Sequence, residues 1–287
     1  MYLDELQIEN FRSIKRMSLK FDEKVNLLIG PNGAGKTTIL ESIRLAKAIL
    51  APRTQSEMQQ TFIQLGASSP HLPQILNFAA LLGDLKQPLK IKSIYRLSDD
   101  EVSKAAAIKG PISTQILAAR HGISLRDFGQ QNLVQFMSTS QGQEAYDKIT
   151  KEMETYLHSL QETKCLRLEL EINAQISNIK GMDSISQSMF SAFEASLTPY
   201  QAFFSYFPAD RALPLGEPPI QLGAADAQQQ MESHNAQPNL KYQRMKGTIF
   251  SSHIQSEQNK KDIEEQFQLI FSELLTGRGV ERYGTNA

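Results

Sequence analysis

One nine-residue stretch constrains this chain more than any other. Residues 30–38 read GPNGAGKTT and fit the pattern G-x-x-x-x-G-K-[ST]. The fixed positions are Gly30, Gly35, Lys36 and Thr37. An apolar, β-prone run at residues 25–29 comes before the stretch, and apolar residues at helical spacing follow it over residues 37–50. The order strand, glycine-rich turn, helix is the context in which this pattern binds phosphate, rather than a chance match on an ordinary turn.

The residue types of this loop are those that binding a triphosphate requires. Glycines allow positive φ angles and let backbone N–H groups approach phosphate oxygens, while the following helix directs its positive end at the same anion. Lys36, assigned as the catalytic cation, would reach the β and γ phosphates, and the Thr37 hydroxyl would bind Mg²⁺. The predicted ligands are therefore ATP and Mg²⁺. The candidate binding residues are Gly30, Pro31, Asn32, Gly33, Ala34, Gly35, Lys36, Thr37 and Thr38.

Composition narrows the class of protein. The 287 residues suffice for one large or two modest domains, and 40% of them are hydrophobic. A net charge of −1 excludes a uniformly basic surface but leaves a local nucleic-acid contact open. The single cysteine, Cys165, fits a reducing compartment. Without a membrane-length apolar run or a signal-peptide pattern at the start, the sequence predicts a cytoplasmic protein with no membrane partner.

Two alternating runs precede the loop. Residues 2–11 place Leu6 and Ile8 on one face, and a second run to residue 21 follows a turn at residues 10–13. The strings LQIENFRSIKRMSLKF and NLLIGPNGAGKTTILESI resemble the start of ABC-type ATPase heads of the SMC/RecF/OLD superfamily. The resemblance covers about the first fifty residues. It implies that Arg12 and Ser13 lie near the nucleotide, whereas residue type alone makes Arg12 a solvated charge in a turn.

The fold class that follows is α/β: a P-loop NTPase with an ABC-ATPase-like first lobe, a mixed or antiparallel β layer and a helical insertion. Residues 1–50 would begin the nucleotide-binding core, 51–200 would complete the lobe with an insertion at about 97–160, and 201–287 would return to the core. Patterning predicts strands at 89–96, 166–172 and 202–207, and helices at 58–63, 98–108, 110–137, 141–160 and 257–276, with a flexible loop at about 222–247.

A second stretch of sequence makes the resemblance more specific. The run Ala202–Phe207 leads into Pro208-Ala209-Asp210-Arg211. A similar apolar run ending in P-A-x-R occurs in OLD-like ATPases, closest to those of Septu- and PARIS-type antiphage systems. Taken alone, the Asp210–Arg211 pair is a structural turn rather than the edge of a site.

Hydrolysis in this superfamily also uses a Walker B strand ending in Asp-Glu and an S-x-G-[EQ] signature loop. No apolar run in the chain ends in Asp-Glu, and Ser140-Gln141-Gly142-Gln143 matches the signature letters at the wrong place in the order. We interpret that match as coincidence. The chain is then expected to be the N-terminal part of a longer ATPase that alone binds ATP and hydrolyses it poorly; the alternative is a small protein that binds nucleotide without turnover.

The leading functional expectation is an ATPase subunit that pairs with a second head and acts as a sensor or motor for a nuclease or toxin effector in antiphage defence. A RecF- or SMC-like, ATP-gated DNA-repair protein is the first alternative. A nucleotide-binding scaffold without turnover is the second. A P-loop kinase or a transporter ATPase is disfavoured, because the N-F-R-S strand pair belongs to neither.

Overall fold

An antiparallel sheet is the framework on which the rest of the chain packs. The computed structural model describes residues 1–73, 75–123, 129–173, 178–181, 183–196, 203–206 and 265. Its strands are β1 (Tyr2–Phe11), β2 (Ile14–Lys20), β3 (Leu89–Arg96), β4 (Cys165–Asn173) and β5 (Asn178–Gly181). They hydrogen-bond in the order β2-β1-β3-β4-β5, and each neighbouring pair is antiparallel.

Helices cover one face of this sheet. They are α1 (Lys36–Leu50), α2 (Gln55–Gln64), α3 (Asp99–Ala107), α4 (Lys109–Arg120), α5 (Gly129–Met137), α6 (Ser140–Thr163) and α7 (Ser184–Ser196), with a 3₁₀ turn at Phe78–Leu81. Helices α3 to α6 lie between β3 and β4 in sequence, where the insertion is predicted. Among the described residues, no helix is both long and apolar enough to cross a membrane.

The strands form where the sequence alternates, because a sheet with one covered face buries every second side chain. Leu6 and Ile8 of β1 and Ile91 of β3 are fully buried beneath the helices, while Gln7 and Lys92 face away from them. The predicted strands at 2–11, 89–96 and 166–172 are confirmed, and the α/β P-loop NTPase fold class is confirmed with them.

Helix α1 is buried on more than one side. It contacts β1, β3, β4 and α2, and its buried residues include Ser42, Arg44 and Lys47 as well as apolar side chains. A helix enclosed in this way is positioned by its neighbours rather than by a single amphipathic face. The position of its first residue, Lys36, is therefore set by the sheet and by α2.

Two helix predictions are confirmed, the first of them made from an end signal. The Ser98 side chain accepts from the Glu101 N–H, and the Glu101 side chain accepts from the Ser98 N–H, which is the predicted capping box at the start of α3. The predicted helical piece at 58–63 lies within α2.

The predicted strand at residues 25–29 is wrong: this segment has no regular secondary structure and pairs with no strand in the described part of the chain. Val25, Leu27 and Ile29 are 75%, 80% and 90% exposed. The β1–β2 side of the sheet ends just before it, at the bond from the Phe21 N–H to the Asp4 carbonyl (2.8 Å). An apolar β-prone run becomes a strand only if another strand pairs with it, and no strand among the described residues does so.

The predicted strand at 202–207 is also wrong over its described part, residues 203–206, which form no strand. Phe203 instead stacks on Phe190 and Phe193 of α7, with ring centroids 6.4 and 6.3 Å apart. Aromatic side chains bury their area equally well against a helix, so apolar content alone misassigned the segment. The predictions for 208–211, for the loop at 222–247 and, except for the helical Glu265, for the helix at 257–276 lie outside the described residues.

Candidate nucleotide-binding site

The loop at residues 30–35 wraps the start of α1. Gly33 and Gly35 have φ angles of +83° and +87°, which strain any residue with a Cβ. A Cβ on Gly30 would lie 3.4 Å from the Ala34 Cβ, an ordinary van der Waals contact, so Gly30 and Ala34 lie side by side in the loop. Gly35 is the N-cap of α1 and offers no side-chain acceptor. The first-turn N–H groups of the helix consequently have no cap and are available to an anion.

Lys36 folds back over this loop. Its Nζ donates to the carbonyls of Gly30 (2.7 Å) and Pro31 (2.8 Å). The ammonium therefore lies against the start of the loop, and the first turn of α1 contains no acidic residue that would repel an anion. Of the two threonines that follow, Thr37 is exposed and Thr38 is half-buried.

The groups present match the donor set that a magnesium triphosphate needs. They include uncapped amides, one mobile ammonium and an exposed hydroxyl of the kind that coordinates Mg²⁺. No cluster of three acidic, histidine or cysteine side chains occurs among the described residues, so this part of the chain contains no all-protein metal cage.

The turn between β1 and β2 lies next to the loop. Asn10 and Arg12 both have positive φ angles, +56° and +51°, which are uncommon for residues other than glycine. Ile14, at the start of β2, would be 3.9 Å from a Cβ on Gly35, so β2 begins directly against the loop. Ser13 is exposed. The end of this turn therefore lies close to Gly35, at the start of α1.

A second loop fixes the conformation of this turn. The Asn10 amide donates to the carbonyls of Asp84 (2.8 Å) and Gln87 (2.7 Å) and accepts from the Asp84 N–H (2.7 Å). The Arg12 N–H donates to the Leu81 carbonyl (2.9 Å). A Cβ on Gly83 would lie 2.4 Å from the Arg12 carbonyl oxygen, so glycine is required at this approach. The role of Asn10 was missed from the sequence, although its place in a tight turn was a usable signal.

The Arg12 side chain does not point into solvent. Its guanidinium forms a short ion pair with Glu41 of α1 and donates to the Leu65 carbonyl at the end of α2 (2.9 Å). Both groups of the pair are partly buried. Glu41 was not among the residues selected from the sequence, since it lies past the motif and carries no pattern of its own.

The serine–glycine match at residues 140–143 has a packing explanation. Thr139 caps α6 by accepting from the Gly142 N–H (3.0 Å). A Cβ on Gly142 would lie 1.9 Å from the carbonyl oxygen of Phe136, so α5 and α6 can meet only if residue 142 is glycine. The glycine of the match is therefore accounted for by the packing of α5 against α6.

A buried group of charges lies further along α1. Lys47 donates to both carboxylate oxygens of Glu57 on α2 (2.8 Å each) and lies 3.6 Å from Glu194 on α7. The Arg53 N–H also donates to Glu57 (2.7 Å). Burial raises the pKa of Glu194, and the Glu57 carboxylate adds to the rise, while Lys47 and Arg53 oppose it. This cluster joins α1, α2 and α7, and it was missed because its members are far apart in sequence.

With the glycine loop, α1 and the flanking antiparallel sheet described, the class is an α/β P-loop NTPase. The family model described as "AAA ATPase domain" matches residues 1–275, so the chain belongs to that family.

Three relatives illustrate where the similarity lies. The chain is 44% identical over 57 residues to "DNA replication and repair protein RecF" of Lactobacillus acidophilus, covering 20% of this chain and 15% of that protein. It is 52% identical over 52 residues to "DNA double-strand break repair Rad50 ATPase" of Methanopyrus kandleri, covering 18% and 6%. To the RecF protein of Lactobacillus johnsonii it is 25% identical over 232 residues, covering 71% and 60%. The chain thus spans 60% or less of each of these relatives.

Proposed function

We propose that this chain binds ATP together with Mg²⁺ at residues 30–38. The observation that supports this most is the loop itself: two glycines at positive φ lead into an uncapped helix whose first residue, Lys36, holds its ammonium over the loop. In the proposed complex the amides of residues 33–38 receive the phosphates, Lys36 leaves its carbonyl partners for the β and γ phosphates, and Thr37 binds the metal. The bound Mg²⁺ would neutralise charge on the phosphates.

The direct test is ATP binding by calorimetry in the presence of Mg²⁺, with Lys36→Ala as the variant. Lys36 is partly exposed and bonds only to the loop carbonyls among the described contacts, so the variant should keep the fold. We expect binding to the wild type and none to the variant at the same unfolding temperature. Equal affinities of the two proteins would show that the loop is not the nucleotide site.

For the cellular role we propose an ATPase subunit of the OLD-like ABC class, cytoplasmic, whose heads pair with each other and drive an associated nuclease or toxin in antiphage defence. The support is the P-A-D-R string at 208–211 together with the N-F-R-S turn. In this proposal ATP binding orders an assembly of heads, and the carboxylate for hydrolysis comes from a Walker B strand outside the described residues. Co-purification of a nuclease or toxin with the tagged chain, lost in Lys36→Ala, would be the supporting result.

The second candidate is an ATP-gated DNA-repair role, which the printed names of the RecF and Rad50 relatives favour. Four cations on the open polar face of the sheet are paired with carboxylates across the strands, which weakens the attraction of this face for a phosphate backbone. These pairs are Arg16–Glu9 (3.3 Å), Lys20–Glu5 (3.2 Å), Lys92–Glu169 (3.0 Å) and Lys90–Glu171 (3.4 Å). ATP-dependent duplex binding that weakens steeply with salt would select this role over the first.

A further inference from the structure

A loop outside the glycine motif lies along the turn between β1 and β2. It consists of residues 81–87, which lead into β3, and we call it the β3 entry loop. The Arg12 N–H donates to the Leu81 carbonyl (2.9 Å), and Phe11 pairs with Leu82 in an isolated antiparallel bridge. The loop therefore runs beside the backbone of the turn before β3 itself pairs with β1.

Asn10 is the side chain that joins the turn to this loop. It is buried, and its amide donates to the carbonyls of Asp84 (2.8 Å) and Gln87 (2.7 Å) and accepts from the Asp84 N–H (2.7 Å). One side chain thus satisfies three backbone groups of the loop. Its φ angle is +56°, a conformation that asparagine adopts more readily than most other residues with a Cβ. Both the backbone and the side chain of Asn10 are therefore suited to this contact.

Gly83 allows the loop to approach the turn this closely. A Cβ at this position would lie 2.4 Å from the Arg12 carbonyl oxygen and 3.3 Å from the Asn10 side-chain oxygen. The nearer atom belongs to the backbone, so a larger residue would have to push the turn away from the loop. The Asp84 side chain also accepts from the Lys86 N–H (2.9 Å), which gives the loop a fixed shape of its own.

The far end of the turn adjoins the proposed nucleotide site. Ile14, two residues after Arg12, is buried, and its side chain would lie 3.9 Å from a Cβ on Gly35. Gly35 is the N-cap of α1, and the uncapped amides that follow it are those proposed to receive phosphate. A turn that moves away from the β3 entry loop would therefore carry Ile14 with it and loosen the packing at the start of α1.

We propose that the β3 entry loop serves the nucleotide site as a positioning element, with Asn10 and Gly83 as the positioning residues, by holding the β1–β2 turn against Gly35. This rests on the proposed ATP site at residues 30–38. The role concerns the backbone of the turn, so it is compatible with contacts between a nucleotide and the side chains of the turn. It assigns to the site a segment that lies far beyond the glycine motif in sequence and carries no motif of its own.

The experiment measures Mg²⁺-ATP affinity by calorimetry, well below the unfolding temperature, in wild type, Asn10→Gly, Gly83→Ala and the double variant. Asn10→Gly keeps the positive φ angle but removes all three hydrogen bonds, whereas Gly83→Ala forces the two backbones apart. We expect each single variant to weaken binding about threefold to tenfold, and the double variant to weaken it no further because both changes open the same contact. Amide hydrogen exchange should become faster at residues 12–14 and stay unchanged in α6.

Ser98→Ala is the matched control, because it removes the capping box of α3, in the insertion. It should lower the unfolding temperature and leave ATP affinity unchanged. If Gly83→Ala does not fold, Asn10→Asp takes its place. Its carboxylate keeps the acceptor for the Asp84 N–H but loses both donors, so it should weaken binding as Asn10→Gly does.

Two results would overturn the inference. One is wild-type affinity in Asn10→Gly and Gly83→Ala while Lys36→Ala has lost binding, which leaves the proposed function standing and removes only the role of the β3 entry loop. The other is a loss of affinity in Ser98→Ala as large as in the loop variants, since the effect would then follow the stability of the whole fold. Absence of ATP binding by the wild type would instead remove the proposed function itself, and this inference with it.

Discussion

At the scale of single residues, the least ordinary group is the Glu194 carboxylate. It is 1% exposed, shares Lys47 with the equally buried Glu57, and receives that ammonium only at 3.6 Å, while Glu57 receives it at 2.8 Å. Burial is the largest cause that raises the pKa of Glu194, and the neighbouring Glu57 carboxylate adds to the rise, while Lys47 and Arg53 oppose it.

The raised pKa of Glu194 makes the free energy of unfolding depend on pH, and the direction of this dependence can be tested with Glu194→Gln. Because the folded-state pKa lies above the unfolded value of 4.5, the stability from protonated Glu194 is fully present below pH 4.5 and is lost as pH rises through the folded pKa. Glutamine imitates the protonated group. We expect the two proteins to have equal free energies of unfolding at low pH. Above pH 4.5 the variant should become more stable than wild type, by up to about 1.4 kcal/mol for each pH unit. Urea titrations at successive pH values measure it.

Glu57→Gln is the matched control on the other carboxylate. Glu57 accepts both bonds from Lys47 and one from the Arg53 N–H, so its loss breaks a satisfied buried pair. We expect this variant to be less stable than wild type at pH 7 by about 3 to 5 kcal/mol. Destabilisation of similar size in Glu194→Gln at pH 7 would contradict the raised pKa of Glu194.

At the scale of elements, the packing where α5 meets α6 can show whether residues 140–143 form a structural turn or a signature loop. A Cβ on Gly142 would meet the Phe136 carbonyl at 1.9 Å, so Gly142→Ala must displace one helix and should cost about 1 to 3 kcal/mol. Gly110, in α4, has nothing within 4 Å of its Cβ position, and Gly110→Ala should be neutral or stabilising by up to about 1 kcal/mol. Thermal unfolding of both variants tests the corner. Unchanged stability with impaired ATP turnover in Gly142→Ala would instead support a signature loop.

At the scale of the whole molecule, features held by residues close together in the sequence could be predicted, whereas features held by distant residues could not. Strands β1 and β4, the start of α1 and the Ser98–Glu101 cap depend on neighbours within a few residues, and all were predicted. Helix α7 was missed, although Ile185, Met189 and Phe193 recur every four residues on its buried face.

Other features depend on partners that no local pattern identifies. The Lys47 cluster unites three helices, and the Arg12–Glu41 pair needs the turn and α1 to be in place first. Of the candidate site, the glycine loop and the nearness of the turn could be read from the motif, but the destination of the Arg12 side chain could not. The segment at 25–29 shows the same limit, since an apolar, β-prone run does not reveal whether a strand lies beside it.

A mutation at residues 25–29 can distinguish an exposed segment from a buried strand. With side chains 75% to 90% exposed, Val25, Leu27 and Ile29 contribute little to the folded state, so replacing all three with the β-prone, polar threonine should change stability by no more than about 0.5 kcal/mol per site. Leu6→Ala, at a fully buried position of β1, supplies the scale and should cost about 2 to 5 kcal/mol. Chemical unfolding of both variants gives the comparison. A triple variant that loses several kcal/mol would show that 25–29 is a buried strand after all, paired with a part of the chain beyond the described residues.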